Sequence, residues 1–378
     1  MNKLLFAGIS TVLAVSSLFS AEEVPRLLLP DTLYAVPGIE MNVYFSNIFL
    51  SVNPSNYVYD VECSKGRNDE KRWRFIPTEE DVGTHDWKVT VYDDNGAVAT
   101  GTAKLIVTTK NAGGGRRVSI LMIGDSLTDQ SFYAKRLKEL FPGLKMIGSH
   151  AGGGKVPGPD GVAHEGYGGW TWGAFVAPVE PKAPDVLPYR TNKFLAKKNG
   201  EWMLDFQQYF DKYNDGKAPD FITIQLGVND VFLATDADIQ KNVNGILKSM
   251  DKLIDAIRKD APDAVIGIGL TTAGACQDAF GSGYKCGQTA WQFRKNQQAI
   301  CAAYLKKVAT LKDPKLVIIP TCLNLDRENN FPLIREKVNA CSTADVFRQD
   351  NGVHPAKSGG DQMGDTFFCW LKYHLNRK

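Results

Sequence analysis

The fold is decided by Val118-Ser119-Ile120-Leu121-Met122-Ile123-Gly124-Asp125-Ser126. All residues from 118 to 123 except Ser119 are apolar, and the run ends at a glycine. Such a run is typical of a strand that is buried on both faces of a parallel sheet. Parallel sheets carry their sites at the carboxyl ends of the strands. We therefore expect Ser126, which directly follows this strand, to lie at the rim of the sheet.

Alternation of strands and helices continues to the end of the chain. Further strands are predicted at 221–226, 265–270 and 316–320, and helices at 131–140, about 289–311 and from about 360 onward. An apolar stripe at spacings of three and four predicts one more helix, with its N-cap at Thr235 or Asp236: Ile239, Val243, Ile246, Met250, Leu253 and Ile257. This alternation predicts a three-layer α/β/α domain with a parallel sheet over residues 117–378.

Residues 22–110 show a different pattern, with strands predicted at 32–36, 41–50, 57–63, 73–77, 85–92 and 97–108. Asp93-Asp94-Asn95-Gly96 is a strong hairpin turn between the last two. Short strands at regular spacing without a helical run predict a small all-β sandwich of immunoglobulin-like class. The Gly-rich segment 111–116 is the predicted linker. Two roles are open for the sandwich, glycan binding or bracing of the second domain.

The composition and charge of the chain limit the kinds of binding partner that we expect. The 378 residues are 43% hydrophobic and 23% charged, with a net charge of +2, as in soluble globular proteins. Acids and bases are mixed, so no charge pattern favours nucleic acid or a membrane surface. In residues 1–20, Lys3 precedes an apolar run that ends at small residues, which predicts a secretory signal. We expect a secreted or periplasmic protein.

Seven cysteines suit an oxidising compartment. The favoured disulfide joins Cys276 and Cys286, which flank a Gly-rich loop. Cys322 with Cys341 and Cys301 with Cys369 are two further possible pairs, and Cys63 is left over. No CxxC occurs and the five histidines are scattered, so no metal site is expected.

Four short segments carry the chemistry: 124–127 (GDSL), 164–170 (HEGYGGW), 227–230 (GVND) and 351–355 (NGVHP). They supply a serine hydroxyl, a glycine amide, a carboxamide and an imidazole, the set that acyl transfer needs. Each has an ordinary structural explanation when taken alone, such as a helix cap for Ser126 or an Asx turn for Asn229. Their occurrence together favours a site.

In this order the segments resemble the SGNH (GDSL-type) hydrolases, over residues 117–378. The resemblance implies that Ser126 is the nucleophile and His354 the base. It also implies an oxyanion hole made by the amides of Ser126 and Gly169 and the side chain of Asn229, with no cofactor. We further expect substrate contacts from Asp125, His164, Trp170 and Trp172, although the two tryptophans suit a hydrophobic core equally well.

One position departs from the family pattern. The acid that orients the histidine usually stands three residues before it, where this chain has Asn351, and Asp350 lies one residue further back. Three alternatives follow. Asp350 reaches the imidazole, Asn351 orients it through its amide oxygen, or a backbone carbonyl does so and leaves a Ser–His dyad.

The site predicts ester hydrolysis through an acyl-Ser126 intermediate, without a metal or cofactor. Exported family members of this build resemble carbohydrate esterases, which implies an acetylated polysaccharide or oligosaccharide as the partner. Two alternatives are a lipolytic esterase or thioesterase and a non-catalytic glycan-binding protein. The sequence predicts no particular oligomeric state.

Overall fold

Two small sheets form the N-terminal part of the protein. The computed structural model describes residues 26–158, 161–178, 189–277, 279–280 and 288–377. The elements of this part are β1 (Thr32–Ala35), β2 (Met41–Tyr44), α1 (Phe45–Ile48), β3 (Val58–Glu62), β4 (Arg67–Asp69), β5 (Arg72–Phe75), β6 (Gly83–Asp93) and β7 (Gly96–Val107). One sheet has the order β1-β7-β6-β3 and the other β2-β5-β4.

The two sheets pack face to face. Trp73 of β5 and Trp87 of β6 meet edge to face at 6.0 Å, and both are 1% exposed. Two details differ from the sequence prediction. The strand expected over 41–50 ends at Tyr44, because Phe45 and Ile48 turn into α1 and enter the core. The pairing is antiparallel throughout except that β1 runs parallel to β7.

The rest of the chain alternates strands and helices as predicted. Its elements are β8 (Val118–Gly124), α2 (Ser126–Asp129), α3 (Phe132–Leu140), β9 (Leu144–Ile147), β10 (Glu165–Gly166), α4 (Trp172–Val176), β11 (Leu195–Lys198), β12 (Glu201–Leu204), α5 (Phe206–Tyr213), β13 (Phe221–Gln225), α6 (Ile239–Asp260), β14 (Val265–Gly269), α7 (Ala290–Leu311), β15 (Leu316–Ile319), β16 (Leu333–Lys337), β17 (Asp345–Gln349) and α8 (Lys357–Asn376).

A parallel sheet of order β10-β8-β13-β14-β15, with β9 beside the first half of β8, lies at the centre. Helices cover both faces. Ile120 and Met122 of β8 pack in the cluster that contains α3 and α8, whereas Leu121 and Ile123 pack with α6 and α7. This two-residue alternation gives the three layers that the sequence predicts. The N-cap of α6 is Asp238, two residues after Asp236 and three after Thr235, the two predicted positions.

The N-terminal sheets are bound tightly to the α/β part. Arg294 of α7 is 9% exposed and donates to the carbonyls of Ser46 (2.9 Å), Phe49 (3.3 Å) and Ser51 (2.9 Å). At the linker, Lys372 of α8 donates to the carbonyl of Ala112 over 2.8 Å. Two helices of the α/β part, α7 and α8, are therefore bound to residues that precede this part in the chain.

The predicted cysteine pairs do not form among the described residues, where all six cysteines are free thiols. Cys322, which is buried, and Cys341, which is exposed, are both free thiols. Cys301 instead shares a hydrogen bond with Cys322 rather than meeting Cys369. Cys286, of the favoured pair, lies outside the described residues. Within the described ranges, no helix is long and apolar enough to cross a membrane, and no cluster of metal-binding side chains occurs.

Candidate active site

Ser126 and His354 form the centre of the site. Ser126 follows β8 and is the first residue of α2, while His354 lies between β17 and α8. The Ser126 hydroxyl and Nε2 of His354 are 2.7 Å apart. Burial lowers the pKa of His354, so the imidazole is held in the neutral form that accepts a proton. A serine with a neutral base within hydrogen-bond reach is the arrangement of an activated nucleophile.

Asn351 shapes the loop that carries His354. Its side-chain oxygen accepts from the amide of Val353 at 3.0 Å and from the amide of His354 at 2.8 Å. This is an Asx turn, in which a short side chain replaces a backbone acceptor. Asn351 therefore fixes the main chain of the histidine.

The structure does not bring Asp350 to the imidazole. Gln349, the last residue of β17, points inward and is 5% exposed. Because successive side chains of an extended chain point in opposite directions, Asp350 is exposed. Among the described residues, no hydrogen bond or ion pair joins Asp350 to His354. The shifted-triad alternative is therefore not supported.

Gly169 lies in a tight turn that follows β10, the strand that pairs with β8. The amide of Trp170 donates to the carbonyl of Tyr167 over 3.1 Å, and Gly169, the third residue of this turn, has φ +79°. A positive φ at that position favours glycine. The hydrogen bond of the turn uses the amide of Trp170, so the amide of Gly169 is left for another acceptor. Gly169 is also exposed.

Asn229 is fastened to the same turn. Its Nδ2 donates one hydrogen to the carbonyl of Trp170 at 2.9 Å, and a carboxamide has a second hydrogen to give. The next residue, Asp230, accepts from the amide of Trp172 at 3.1 Å. The segments 227–230 and 164–170 thus hold one another in place. The amide of Ser126 lies in the first turn of α2, where amides have no acceptor within the helix.

Two buried carboxyl groups adjoin the site in the chain, that of Asp125 next to Ser126 and that of Asp230 next to Asn229. Burial raises the pKa of Asp125 to about 7, and the nearby Asp230 carboxylate adds to this effect. Burial likewise raises the pKa of Asp230 to about 7. Asp125 accepts from the amide of Leu127 at 3.0 Å through one oxygen. Its other oxygen has no hydrogen-bond partner in the described part of the chain.

The four side chains predicted to contact substrate are buried instead. Asp125 is 1% exposed and caps α2, and His164 is 0% exposed and contacts Ser131. Trp170 stacks on Tyr167 at 4.2 Å. The indole of Trp172 donates to the hydroxyl of Tyr304 over 2.5 Å. The tryptophans are core anchors, and none of the four lines an open surface.

Three side chains outside the four sequence segments also flank the turn, those of Asp129, Tyr189 and Arg190. A Cβ on Gly168 would lie 2.7 Å from Nη2 of Arg190 and 3.8 Å from Oδ2 of Asp129. The hydroxyl of Tyr189 donates to that same carboxylate over 3.2 Å. Polar groups therefore border the turn. Neither Tyr189 nor Arg190 belongs to a motif, so only their position in space identifies them.

Part of the segment 277–291 contacts the loop that carries His354. The amide of Gly352, two residues before His354, donates to the carbonyl of Ala279 at 3.1 Å. Phe280 packs against Gly352, where a Cβ would lie 2.6 Å from its ring. Residues 278 and 281–287 of this segment lie outside the described residues.

Comparison with known proteins identifies the family. The family model described as GDSL-like lipase/acylhydrolase matches residues 120–367. No curated protein matches the chain. Among solved structures, a carbohydrate esterase family 3 protein from Talaromyces cellulolyticus is 16% identical, with a TM-score of 0.42 over 69% of this chain and 99% of that one. A carbohydrate acetylesterase family member from Sinorhizobium meliloti is 15% identical, with a TM-score of 0.41 over 68% and 99%. The family model spans more than half of the chain and contains Ser126, Gly169, Asn229 and His354, and the chain therefore belongs to the GDSL-like lipase/acylhydrolase family.

Proposed function

We propose that this hydrolase removes acetyl groups from a polysaccharide or oligosaccharide. Ester hydrolysis is supported by the 2.7 Å contact between the Ser126 hydroxyl and the neutral imidazole of His354. The acetyl and carbohydrate specificities rest on the surroundings of that pair.

The acylation step uses groups that the site already holds close together. The Ser126 oxygen attacks the ester carbonyl while its proton passes to Nε2 of His354. The amides of Ser126 and Gly169, with the second hydrogen of the Asn229 carboxamide, donate to the developing oxyanion. The bond between the acyl carbon and the sugar oxygen then breaks, and the imidazolium gives its proton to that oxygen, which leaves as a hydroxyl.

Water completes the cycle. His354, neutral again, takes a proton from a water molecule whose oxygen attacks the acetyl-Ser126 carbonyl. The same donors stabilise the second oxyanion, and collapse releases acetate and restores the serine hydroxyl. Each step needs only these side chains and backbone amides.

A short acyl group suits the apolar surroundings of the site. Val228 and Val353, the neighbours of Asn229 and His354, are 2% and 4% exposed. They pack with Phe280 and Phe293, both fully buried, into a small closed cluster. Because these apolar side chains fill the space between them, they do not offer a channel for a long acyl chain.

A hydroxyl-rich leaving group suits the other side. Asp129, Tyr189 and Arg190 border the turn that carries Gly169, and they offer both donors and acceptors. Sugar hydroxyls would replace the water around these groups at little cost. This border is polar, in contrast to the apolar entrance that a lipid substrate would require.

Two measurements test the proposal. The first compares hydrolysis of 4-nitrophenyl acetate, butyrate and octanoate, and we expect kcat/KM to fall with chain length. The second measures acetate released from a panel of acetylated polysaccharides, with Ser126→Ala as the control. A preference for octanoate would indicate a lipolytic enzyme. Absence of turnover on every ester, with Ser126→Ala indistinguishable from the wild type, would indicate a glycan-binding protein.

Export is part of the proposal. The signal-like pattern of residues 1–20 supports a secreted or periplasmic location, where polysaccharides are met. Residues 1–25 lie outside the described residues, so the pattern stands on the sequence alone. Mass spectrometry of the mature protein tests it, since cleavage near Ala21 would remove the segment.

A further inference from the structure

A fully buried carboxylate, that of Glu165, lies in the short strand β10, which leads into the turn that contains Gly169. Glu165 of β10 is 0% exposed. Its Oε1 accepts from the amide of Ser149 at 2.5 Å and the hydroxyl of Tyr209 at 2.6 Å. Its Oε2 accepts from the hydroxyl of Ser149 at 2.9 Å and from the hydroxyl of Tyr167. Four donors therefore surround the Glu165 carboxylate, two on each oxygen, and hold it in one position.

His150 connects the surroundings of this carboxylate to Gly166. Its Nε2 lies 2.8 Å from the carbonyl of Gly166, which can only accept, so Nε2 carries a proton. Its Nδ1 lies 3.2 Å from the Ser149 hydroxyl, whose one proton is given to Glu165. His150 is 2% exposed, and its Nδ1 lies 4.0 Å from Oε2 of Glu165.

A second histidine holds the other side of Gly166. The amide of Gly166 donates to Nδ1 of His164 at 3.2 Å, and Nε2 of that ring lies 2.7 Å from the hydroxyl of Ser131. Burial lowers the pKa of His164 to about 3, which keeps this ring neutral, as an Nδ1 acceptor requires. Ser131 follows α2, the helix that begins at Ser126, and its hydroxyl donates to the carbonyl of Asp129 over 3.4 Å.

Gly166 is thus held by hydrogen bonds at both its amide and its carbonyl, and it also packs closely against α2. A Cβ at this position would lie 2.6 Å from the amide nitrogen of Asp129, so β10 packs directly on α2. The next residue, Tyr167, donates to Glu165 and stacks on Trp170, and these two residues are the first and last of the turn. Contacts therefore connect Glu165 and His150 to the turn, and they connect β10 to α2, the helix that begins at Ser126.

We propose that Glu165 and His150 are positioning residues for the oxyanion hole, which hold the amide of Gly169 at a fixed place relative to Ser126. The inference rests on the proposed function, because it depends on Gly169 as an oxyanion donor. Neither side chain touches the reacting atoms. Their role is to keep the turn from shifting as charge develops, and rate is sensitive to shifts of about 1 Å.

The test is Glu165→Gln, which preserves size but replaces one acceptor oxygen with an amide that cannot accept from a hydroxyl. We measure kcat and KM for 4-nitrophenyl acetate and the affinity for phenylboronic acid, which forms a tetrahedral adduct on serine. We expect kcat to fall about 10- to 100-fold, below the effect of losing an oxyanion donor outright. KM should change less than about threefold, and boronate affinity should weaken in parallel with kcat.

Tyr209→Phe is the milder second variant, since it removes one of the four donors and leaves the carboxylate. Here we expect kcat to fall about 3- to 10-fold. Ser119→Ala is the matched control. Ser119 shares a hydrogen bond of 3.0 Å with Asp220 at the opposite end of the sheet. Its loss should lower the melting temperature without changing kcat or boronate affinity.

The outcomes separate this inference from the proposed function. An unchanged kcat in folded Tyr209→Phe or Glu165→Gln would overturn the positioning role while ester hydrolysis by the wild type stands. A lower kcat with unchanged boronate affinity would also overturn it, because the oxyanion hole would then be intact. Failure of the wild type to hydrolyse any ester would instead refute the proposed function.

Discussion

The hydroxyl of Ser126 and Nε2 of His354 lie 2.7 Å apart although 228 positions separate them in the chain. The serine is placed by the end of β8 and the histidine by the loop before α8. The sheet and its last helix together assemble the pair. Removal of either partner should therefore abolish turnover without disturbing the fold.

Ser126→Ala and His354→Ala are expected to lower kcat/KM for 4-nitrophenyl acetate by at least about 10³-fold. Their effects should not add, since both remove the same activated nucleophile. Melting temperatures serve as the control and should stay near the wild-type value. A variant that keeps more than a tenth of the activity would contradict the assignment.

The pH profile of kcat/KM should show an acid limb below the ordinary range of histidine. Burial lowers the pKa of His354, and only the neutral imidazole accepts the Ser126 proton. Activity is therefore lost as the pH falls through this lowered pKa and is retained above it. An acid limb at or above the value of a free histidine, about 6.5, would show that desolvation does not control this residue.

Asp350 and Asn351 are adjacent, yet their substitutions should differ. Asp350→Ala removes an exposed side chain and should leave kcat within about twofold of wild type. Asn351→Ala removes the acceptor for the amides of Val353 and His354 and should lower kcat about 10- to 100-fold through misplacement of the imidazole. The reverse order of the two effects would restore Asp350 as the orienting acid.

Stability should decline as the pH rises through neutrality. Asp125 and Asp230 have folded-state pKa values raised to about 7. Their contribution is fully present below the unfolded value near 3.9 and is lost as the pH rises through the folded value. Denaturant unfolding between pH 5 and 8 measures the slope. Asp125→Asn, which keeps the acceptor for the amide of Leu127, should flatten it, whereas an unaltered slope would exclude Asp125.

Arg294→Met should destabilise the protein by about 2–4 kcal/mol, because three buried carbonyls lose their donor. Lys295→Ala is the neighbouring control. It breaks an ion pair with the exposed Asp236 and a cation–π contact of 5.9 Å with Trp291, and should cost less than about 1 kcal/mol. Equal costs in urea titrations would mean that the interface contributes little.

The sequence predicted the catalytic motifs and the α/β layers because both depend on local patterns. A continuous apolar run, which predicts a buried strand, ends just before Ser126, and the stripe from Ile239 to Ile257 has helical spacing. The burial of Trp170 and Trp172 could not be read in the same way. Their partners Tyr167 and Tyr304 are set by tertiary packing, and a loop rich in glycine gives no periodic signal.

The burial of Glu165 could not be predicted from the sequence either. Glu165 stands inside a motif that the sequence analysis selected, but an acid between a histidine and a glycine shows no sign of burial. Tyr209, one of its donors, lies 44 positions away on α5. The exposure of Asp350 did follow from a local rule, the alternation that begins at Gln349, once the strand β17 was known. Short exposed strands of this kind carry no apolar pattern, and the sequence analysis missed β16 and β17.

The Arg294 contact has a consequence for synthesis of the chain. The carbonyls that it binds precede it by 243 to 248 positions. A nascent chain that grows from its N-terminus therefore presents the face around Phe49 to solvent until α7 has been made. Fragments that stop before residue 290 would leave this apolar face uncovered, and truncation there should yield aggregates rather than a smaller stable protein.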